Sequence, residues 1–446
     1  MLKKLEKPDI SGVVINSISA LNKTKSVADL IKKSFSPYVY WDTIKYWTTP
    51  KGVTNIELWA IIKSVRKNLH TVKNSIIKDE SEMFFTWNSY LPNLEQLLHA
   101  VDMRLGGNLF LSGHQTGEEL QHRLLVRGIM EEAIASSQLE GAHTSRKAAK
   151  RILLEGRKAK NKSEQMIINN YQAMNLIETE LKDKKLDEEI LFLLHRTLTK
   201  DTLEDGEIGR YRKDEDEIIV GDDGVKNEIY HIPPKEEFVK KEIKRFVEYA
   251  NNELLDADFV HPVIKAIVIH FWIGYLHPFV DGNGRMARAL FYWYLLREKY
   301  WAFGYIPLSK VIKSSPAQYR DAYIYTEQDD NDLTYFIEYN IKKISQAMKE
   351  FDEYAERKEK ENSKMAKIAR GKYQLNERQI QLLRYYYKNK DVTTSVSTHM
   401  KVNETSRITA MKDLKSLEKS GLVLSKKVGR NVYYYATDKV AGLFEQ

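Results

Sequence analysis

One twelve-residue stretch concentrates residue types that handle phosphate: His277-Pro278-Phe279-Val280-Asp281-Gly282-Asn283-Gly284-Arg285-Met286-Ala287-Arg288. Gly282 and Gly284 accept positive φ and close backbone approach, so successive N–H groups can turn inward as an anion nest. A helix expected to begin at about Arg285 adds unpaired N–H groups and its dipole, for which a phosphate is the natural guest. Arg285 and Arg288 stand three apart, hence on one helical face, and can hold further phosphate oxygens. Asp281 places a hard carboxylate beside them, the usual way Mg2+ is held with a nucleotide. His277, at the mouth of the loop, titrates near neutrality and suits a general base for an incoming hydroxyl. Taken singly, each residue has an ordinary structural use, such as a helix cap for Asp281. Together they supply a nest, a metal ligand, a base and two phosphate-binding arginines.

Such a loop needs a rigid element on each side. Apolar residues recur at three- and four-residue spacing through Val263–Leu276 and Arg285–Leu296, which predicts a helix before and after it. The same spacing predicts helices over Leu58–Leu69, Leu120–Leu139 and Leu333–Met348. Between Asp216 and Ile232 the pattern changes. Ile218-Ile219-Val220 and Ile229-Tyr230-His231-Ile232 flank Asp222-Asp223-Gly224, a turn between two short strands. Pro233-Pro234 closes that hairpin, and a charged helix with an apolar stripe (Phe238, Ile243, Phe246, Val247) follows. The expected fold is therefore mainly α, a helical core bearing a β-hairpin. Residues 1–92 read as an N-terminal helical region, 93–348 as the body, 349–372 as a charged helical linker and 373–446 as a separate C-terminal domain. The first region carries many aromatics (Tyr38, Tyr40, Trp41, Tyr46, Trp47, Trp59, Trp87) that must pack somewhere, and no motif with chemistry.

Composition sets the limits. The 446 residues are 42% hydrophobic and 30% charged, which fits a soluble globular protein of two to four domains. The longest mostly apolar stretch, Ala266 to Val280, is broken by His270 and His277 and is too short to cross a bilayer, so no membrane is expected as a partner. Met1 to Lys7 has no apolar run, so a secretory signal is not expected. The absence of cysteine excludes disulfides, thiolate metal sites and cysteine nucleophiles, and suits a reducing cytoplasm. The net charge of +8 is concentrated: Gly371 to Gln446 holds 14 Lys and Arg against 7 Asp and Glu, or +7. A basic domain on a nearly neutral body points to an acidic partner, with nucleic acid the first candidate.

The central stretch resembles the signature of the Fic family, H-x-F-x-(D/E)-G-N-G-R-x-x-R, and matches it at every specified position. Gly209-Arg210-Tyr211-Arg212, followed by the hairpin, looks like the family's G-x-(Y/F)-R element and target-binding flap, to whose edge an extended substrate can add by main-chain pairing. The resemblance covers roughly Asn93 to Met348. It implies a Fic-type helical core and transfer of AMP from ATP, with Mg2+, to a Ser, Thr or Tyr hydroxyl of a target protein or of the chain itself. It further implies that His277 deprotonates that hydroxyl, Phe279 packs the loop on the core and Asp281 binds Mg2+. Asn283 and the amides of Gly282 and Gly284 would hold the α-phosphate, and Arg285 and Arg288 the β- and γ-phosphates. Tyr319 is the candidate for the adenine pocket. Ser136-Ser137-Gln138-Leu139-Glu140-Gly141, at the end of a helix expected over about 118–141, resembles the family's inhibitory motif (S/T)-x-x-x-E-(G/N). By that resemblance Glu140 pairs with Arg288 in place of the γ-phosphate, Ser136 shares its face, and Gly141 ends the helix.

The C-terminal domain reads as helices over Leu375–Tyr387, Thr394–His399 and Glu404–Ser420. The strands Leu422-Val423-Leu424 and Val432-Tyr433-Tyr434-Tyr435 then flank a basic tip. This looks like a bacterial winged helix-turn-helix, with Thr405, Ser406, Arg407 and Lys412 facing a major groove and Lys426, Lys427 and Arg430 meeting phosphates. Two other functions stay open: removal of AMP by water activated at Glu140, and a DNA-binding regulator whose Fic domain senses nucleotide without turnover. The intact His277 argues against the second, since a sensor needs no base. Another transferred group (UMP, phosphate, phosphocholine) and a homodimer also stay open.

Overall fold

A computed structural model describes residues 2–13, 25–71, 77–88, 91–106, 110–111, 114–115, 118–221, 228–253, 259–389, 392–429 and 431–444. The N-terminal part forms α1 (Lys25–Lys33), α2 (Trp41–Ile44), α3 (Asn55–Leu69) and the strand pair β1 (His70–Thr71) and β2 (Trp87–Asn88). The body continues as α4 (Leu94–Leu105), the pair β3 (Phe110–Leu111) and β4 (His114–Gln115), α5 (Glu118–Leu139), α6 (Arg146–Glu155), α7 (Lys162–Leu176) and α8 (Glu188–Thr199). It ends with the antiparallel pair β5 (Val220–Gly221) and β6 (Ile229–His231), then α9 (Glu236–Ala250), α10 (Pro262–Leu276), α11 (Asn283–Arg297), α12 (Leu308–Ile312), α13 (Pro316–Gln328) and α14 (Thr334–Lys372). No helix among the described residues is long and apolar enough to cross a membrane.

Local chemistry sets several of these boundaries. Ser145, Asn161 and Asp187 each accept a bond from a backbone N–H at the start of α6, α7 and α8, satisfying groups the helix cannot. The hairpin strands are shorter than the sequence suggests, because the register shifts between Val220 and Gly221; its Asp222-Asp223-Gly224 turn lies outside the described residues.

α10 and α11 form the centre of the fold. Periodicity suggests amphipathic helices, but both are enclosed on every side: Val263, Ile267, Phe271, Trp272 and Leu276 on α10, and Met286, Leu290, Trp293 and Leu295 on α11, are buried. A helix apolar all round has to sit in a core rather than on one. Burying each such side chain contributes about 1.5–3 kcal/mol, so these two helices anchor whatever connects them. That connection is the His277 loop.

Tyr38, Tyr40, Trp41 and Trp59 of the N-terminal region share the same core, with Trp47 and Trp87 packed against it, instead of building their own; Tyr46 is exposed, against the expectation that all these aromatics pack. Arg66, 1% exposed, donates to the Tyr335 hydroxyl and the Ser34 carbonyl and stacks 3.7 Å from the Tyr38 ring. The expected linker is the continuation of α14, and its first part is not exposed: Phe351 and Ala355 are buried against the body.

A second, smaller core lies in the C-terminal residues, formed by Leu375, Leu383, Tyr386, Leu414, Leu417, Leu422 and Tyr434. It is built from α15 (Glu377–Lys388), β7 (Thr393–Ser395), α16 (Val396–Asn403), α17 (Arg407–Lys419), β8 (Val423–Val428), β9 (Asn431–Ala436) and α18 (Lys439–Phe444), with sheet order β7-β9-β8. The second expected helix starts two residues late, because Thr394 and Ser395 pair with Tyr434 and Tyr433 as a third strand. Ser406 lies outside α17 as its N-cap, accepting from Thr409 N–H at 3.2 Å.

Candidate active site

The loop between α10 and α11 is closed by its own side chains. Asn283 is 1% exposed; its Oδ1 accepts from Phe279 N–H at 2.9 Å and its Nδ2 donates to the Phe279 carbonyl at 2.8 Å. Both halves of the amide thus brace the loop, a use beyond the phosphate contact expected from the sequence. Phe279 is fully buried, and the His195 ring of α8 stacks on it at 4.0 Å with planes 9° apart. Gly209 N–H donates to His195 Nδ1 at 3.0 Å, so the proton is on Nε2, which donates to the Asp281 carbonyl at 3.0 Å. Burial pushes the His195 pKa down to about 4, which keeps that tautomer neutral.

Arg212 holds the other side of the loop. It is 5% exposed, and its Nε donates to the His277 carbonyl at 2.7 Å while its Nη2 reaches the Pro234 and Leu276 carbonyls. Its backbone N–H donates to the Pro278 carbonyl at 2.9 Å. A cation at the C-terminal end of α10 meets carbonyls that the helix leaves unpaired. Neither His195 nor this use of Arg212 is legible in the local pattern, since the loop carbonyls they hold, of Asp281 and His277, lie 86 and 65 residues away.

His277 caps α10 in the left-handed region, φ 46° and ψ 56°. Its Nδ1 lies 3.2 Å from the Gly274 carbonyl, an acceptor only, so the proton sits on Nδ1 and Nε2 is the free basic nitrogen. Burial, reinforced by nearby His231, lowers its pKa to about 3. The expectation of titration near neutrality is therefore corrected for the ligand-free protein. His231, whose ring centroid is 6.4 Å away, behaves oppositely. Burial disfavours its charge, but Glu327 at 2.7 Å from Nδ1 and the Tyr275 carbonyl at 2.8 Å from Nε2 raise its pKa.

Gly282 takes φ +88° at the start of α11, and a Cβ there would meet Thr199 Cγ2 at 3.0 Å. The first N–H groups of α11, at Asn283, Gly284 and Arg285, have no partner within the helix. Glu140 faces them. A Cβ on Gly284 would lie 2.2 Å from Glu140 Oε1, so only glycine lets this carboxylate come so close. The same oxygen accepts from Arg288 Nη2 at 2.8 Å. Arg288, 3% exposed, also donates to Ser136 Oγ at 2.8 Å and to the Ser136 carbonyl at 3.0 Å. Burial opposes its charge, but Glu140 holds it firmly protonated. Gly141, at φ +87°, ends the helical run.

One turn further back on α5, fully buried Glu132 accepts from Tyr292 Oη at 2.8 Å, Ser309 N–H at 2.9 Å and the Ser309 hydroxyl. Glu132, Ser136 and Glu140 recur at four-residue spacing, and the first pins this face of α5 against α11 and α12. The sequence reading missed Glu132, which looks like any helical glutamate.

Arg285 does not join the Arg288 group. Its Nη1 donates to the Leu198 carbonyl at 2.8 Å, its Nη2 lies 3.4 Å from Asp281 Oδ2, and its buried Nε has no partner. The Asp281 side chain is 42% exposed. Among the described residues no three His, Cys, Asp or Glu side chains cluster as a metal site. A single open carboxylate nevertheless fits Mg2+, which commonly takes one or two protein carboxylates with phosphate and water. Tyr319 lies beside Arg288, and its hydroxyl is 2.8 Å from His270 Nε2.

Residues 185–295, which take in α8, the hairpin and the whole loop, match the Fic/DOC family model. Over 91 residues the chain is 35% identical to a protein adenylyltransferase Fic of Nematostella vectensis, covering 20% of this chain and 18% of that protein. Over 85 residues it is 36% identical to the Drosophila melanogaster protein of the same name, covering 18% and 17%. The match thus spans under a fifth of the length of these curated relatives. A Fic family protein of Desulfovibrio desulfuricans G20 superposes with TM-score 0.48 at 18% identity, over 78% of this chain and 97% of that one. The similarity to the Fic/DOC family thus lies in residues 185–295, the stretch that carries the loop and the hairpin.

Proposed function

We propose that the chain transfers AMP from ATP to a hydroxyl side chain of a protein, itself included, and that Glu140 restrains it. The observation that carries this reading is the seat of Glu140: its carboxylate bonds Arg288 and lies against Gly284 at the N-terminal end of α11. An anion already occupies the place where helix amides and a buried guanidinium favour a nucleotide phosphate. Removing that carboxylate leaves Arg288 for the γ-phosphate and the amides of Asn283 and Gly284 for the α-phosphate, with Tyr319 as an aromatic wall for adenine; the Gly282 N–H already donates to Asp281 Oδ1 at 2.5 Å.

In the step itself, the target oxygen attacks the α-phosphorus and forms the new O–P bond. The bond from that phosphorus to the bridging oxygen of pyrophosphate breaks, and the hydroxyl proton passes to His277 Nε2. His277 is neutral and ready to accept at pH 7; an anionic phosphate alongside raises its basicity. Arg212 and His195 hold the loop so that base and phosphate keep their spacing. Asp281 would hold Mg2+, which would supply charge neutralisation on the phosphates. His277→Ala tests the assignment. Transfer from α-labelled ATP should fall by ~10²–10⁴-fold while ATP binding persists. Near wild-type transfer contradicts the mechanism.

We propose further that residues 373–446 are a winged helix-turn-helix that binds nucleic acid. Arg407, Lys412, Lys426 and Lys427 are exposed, and this segment carries most of the net charge. Arg430 lies outside the described residues. Salt-sensitive DNA binding by the full chain tests this reading, and its absence makes the domain a protein-contact module.

A further inference from the structure

The outer edge of β6 is covered by the chain's own residues. Leu2 pairs with Ile229 in parallel, and Lys3 N–H donates to the Ile229 carbonyl at 2.8 Å. Gln328, at the end of α13, grips the same segment on its other side: its Nε2 donates to the Lys3 carbonyl at 2.8 Å and its Oε1 accepts from Leu5 N–H at 2.9 Å. The Glu6 carbonyl accepts from Tyr40 Oη at 3.0 Å, and its carboxylate takes Trp41 Nε1 at 3.0 Å and Lys45 Nζ at 2.5 Å. Lys3 Nζ lies 5.8 Å from the Tyr230 ring centre and 3.5 Å from Asp321.

Three main-chain groups are thus bound by a strand edge and an amide clamp, and a fourth by the Tyr40 hydroxyl, the way a groove holds an extended peptide. The main-chain part of this recognition is indifferent to side-chain identity, so a segment from another protein can use it; the contacts of the Lys3 and Glu6 side chains favour the chain's own residues. The groove also leads to the base: His231, two residues along β6 from Ile229, sits beside His277. An unpaired edge at that place would otherwise be open to any strand.

We infer that residues 2–6 occlude in cis the edge of β6, where an extended target of the proposed reaction would add. This rests on the protein-directed transfer proposed above. It adds a control separate from Glu140: one blocks the nucleotide, the other the target. A tethered segment competes at an effective concentration on the order of mM, so a target must displace it or wait for its release.

The test uses a labelled synthetic peptide of Leu2 to Ser11 and no ATP. It should bind the chain lacking residues 2–7 at least tenfold more tightly than the intact chain, and Gln328→Ala in the shortened chain should abolish that gain. Equal binding to the intact and shortened chains, with the fold retained by circular dichroism, overturns the inference. If the shortened chain does not fold, Lys3→Pro in the full chain decides, since it removes the N–H that meets Ile229, with Lys3→Ala as the control for the lost Nζ contacts to Tyr230 and Asp321. Peptide affinity should rise severalfold, and an unchanged affinity overturns the inference. Peptide binding in a protein that transfers nothing would keep the groove and reject only the proposed reaction.

Discussion

Arg288 is 3% exposed and makes three bonds to Ser136 and Glu140, whereas Arg407, Lys412, Lys426 and Lys427 of the C-terminal unit stand in solvent. Both sets are cationic, but they serve different physics. A buried guanidinium held in a fixed direction binds one anion strongly and selects its shape. Exposed side chains exert a screened attraction that any polyanion satisfies. The loop region is organised before its ligand arrives, and the C-terminal unit relies on charge density. Changes near the loop should therefore act all-or-none through geometry, while changes in the C-terminal unit should be graded and salt-dependent.

After loss of the base itself, the largest expected effect is that of Arg212→Ala. It leaves the carbonyls of Leu276 and His277 without their donor and frees the loop to move. A displacement on the order of 1 Å costs about 10²-fold in rate. Steady-state transfer in a variant that remains folded measures this, and a loss of only a fewfold would mean that the loop is rigid without its clamp. Next is the salt dependence of DNA binding by the full chain. Three phosphate contacts at the wing predict a log–log slope of about −2.7, or roughly 40-fold between 50 and 200 mM salt. Lys426→Ala should reduce that slope by about 0.9 and leave transfer untouched. A DNA affinity indifferent to salt would erase the contrast between the two regions.

The smallest effect is expected from pH. With the His277 pKa lowered to about 3 by burial, the imidazole is already deprotonated throughout the physiological range. The kcat/KM for ATP, which reports the free enzyme, should show no acid limb from this group between pH 5 and 8, and base function is lost only as pH falls through about 3. An acid limb near 6.5 that vanishes in His277→Ala would show the ring to be open to solvent.

The parts of this site visible in the sequence were the contiguous ones. Glycines, carboxylate, arginines and histidine lie within one loop, and the helices around it follow from apolar spacing. Directions within the loop were not visible. Asn283 turns inward because the Phe279 amide and carbonyl are the nearest partners, and Arg285 points to Leu198 although it is spaced to share a face with Arg288. His195, Glu132 and His231 escaped because each matters only through residues far along the chain. Residues 2–6 carry no motif at all; their meaning comes from Gln328 and Ile229, more than two hundred positions away.

The central claim is that Glu140 sits where a phosphate of ATP belongs. Glu140→Gly tests it most directly, because it removes the carboxylate from Arg288 and Gly284 without touching the base, the loop or the flap. Transfer of labelled AMP to the chain itself or to a protein target should rise tenfold or more, equivalent to about 1.4 kcal/mol or more of relieved inhibition. An unchanged rate in a variant whose circular dichroism matches the wild type would contradict the claim and leave Glu140 as an ordinary residue at the end of a helix.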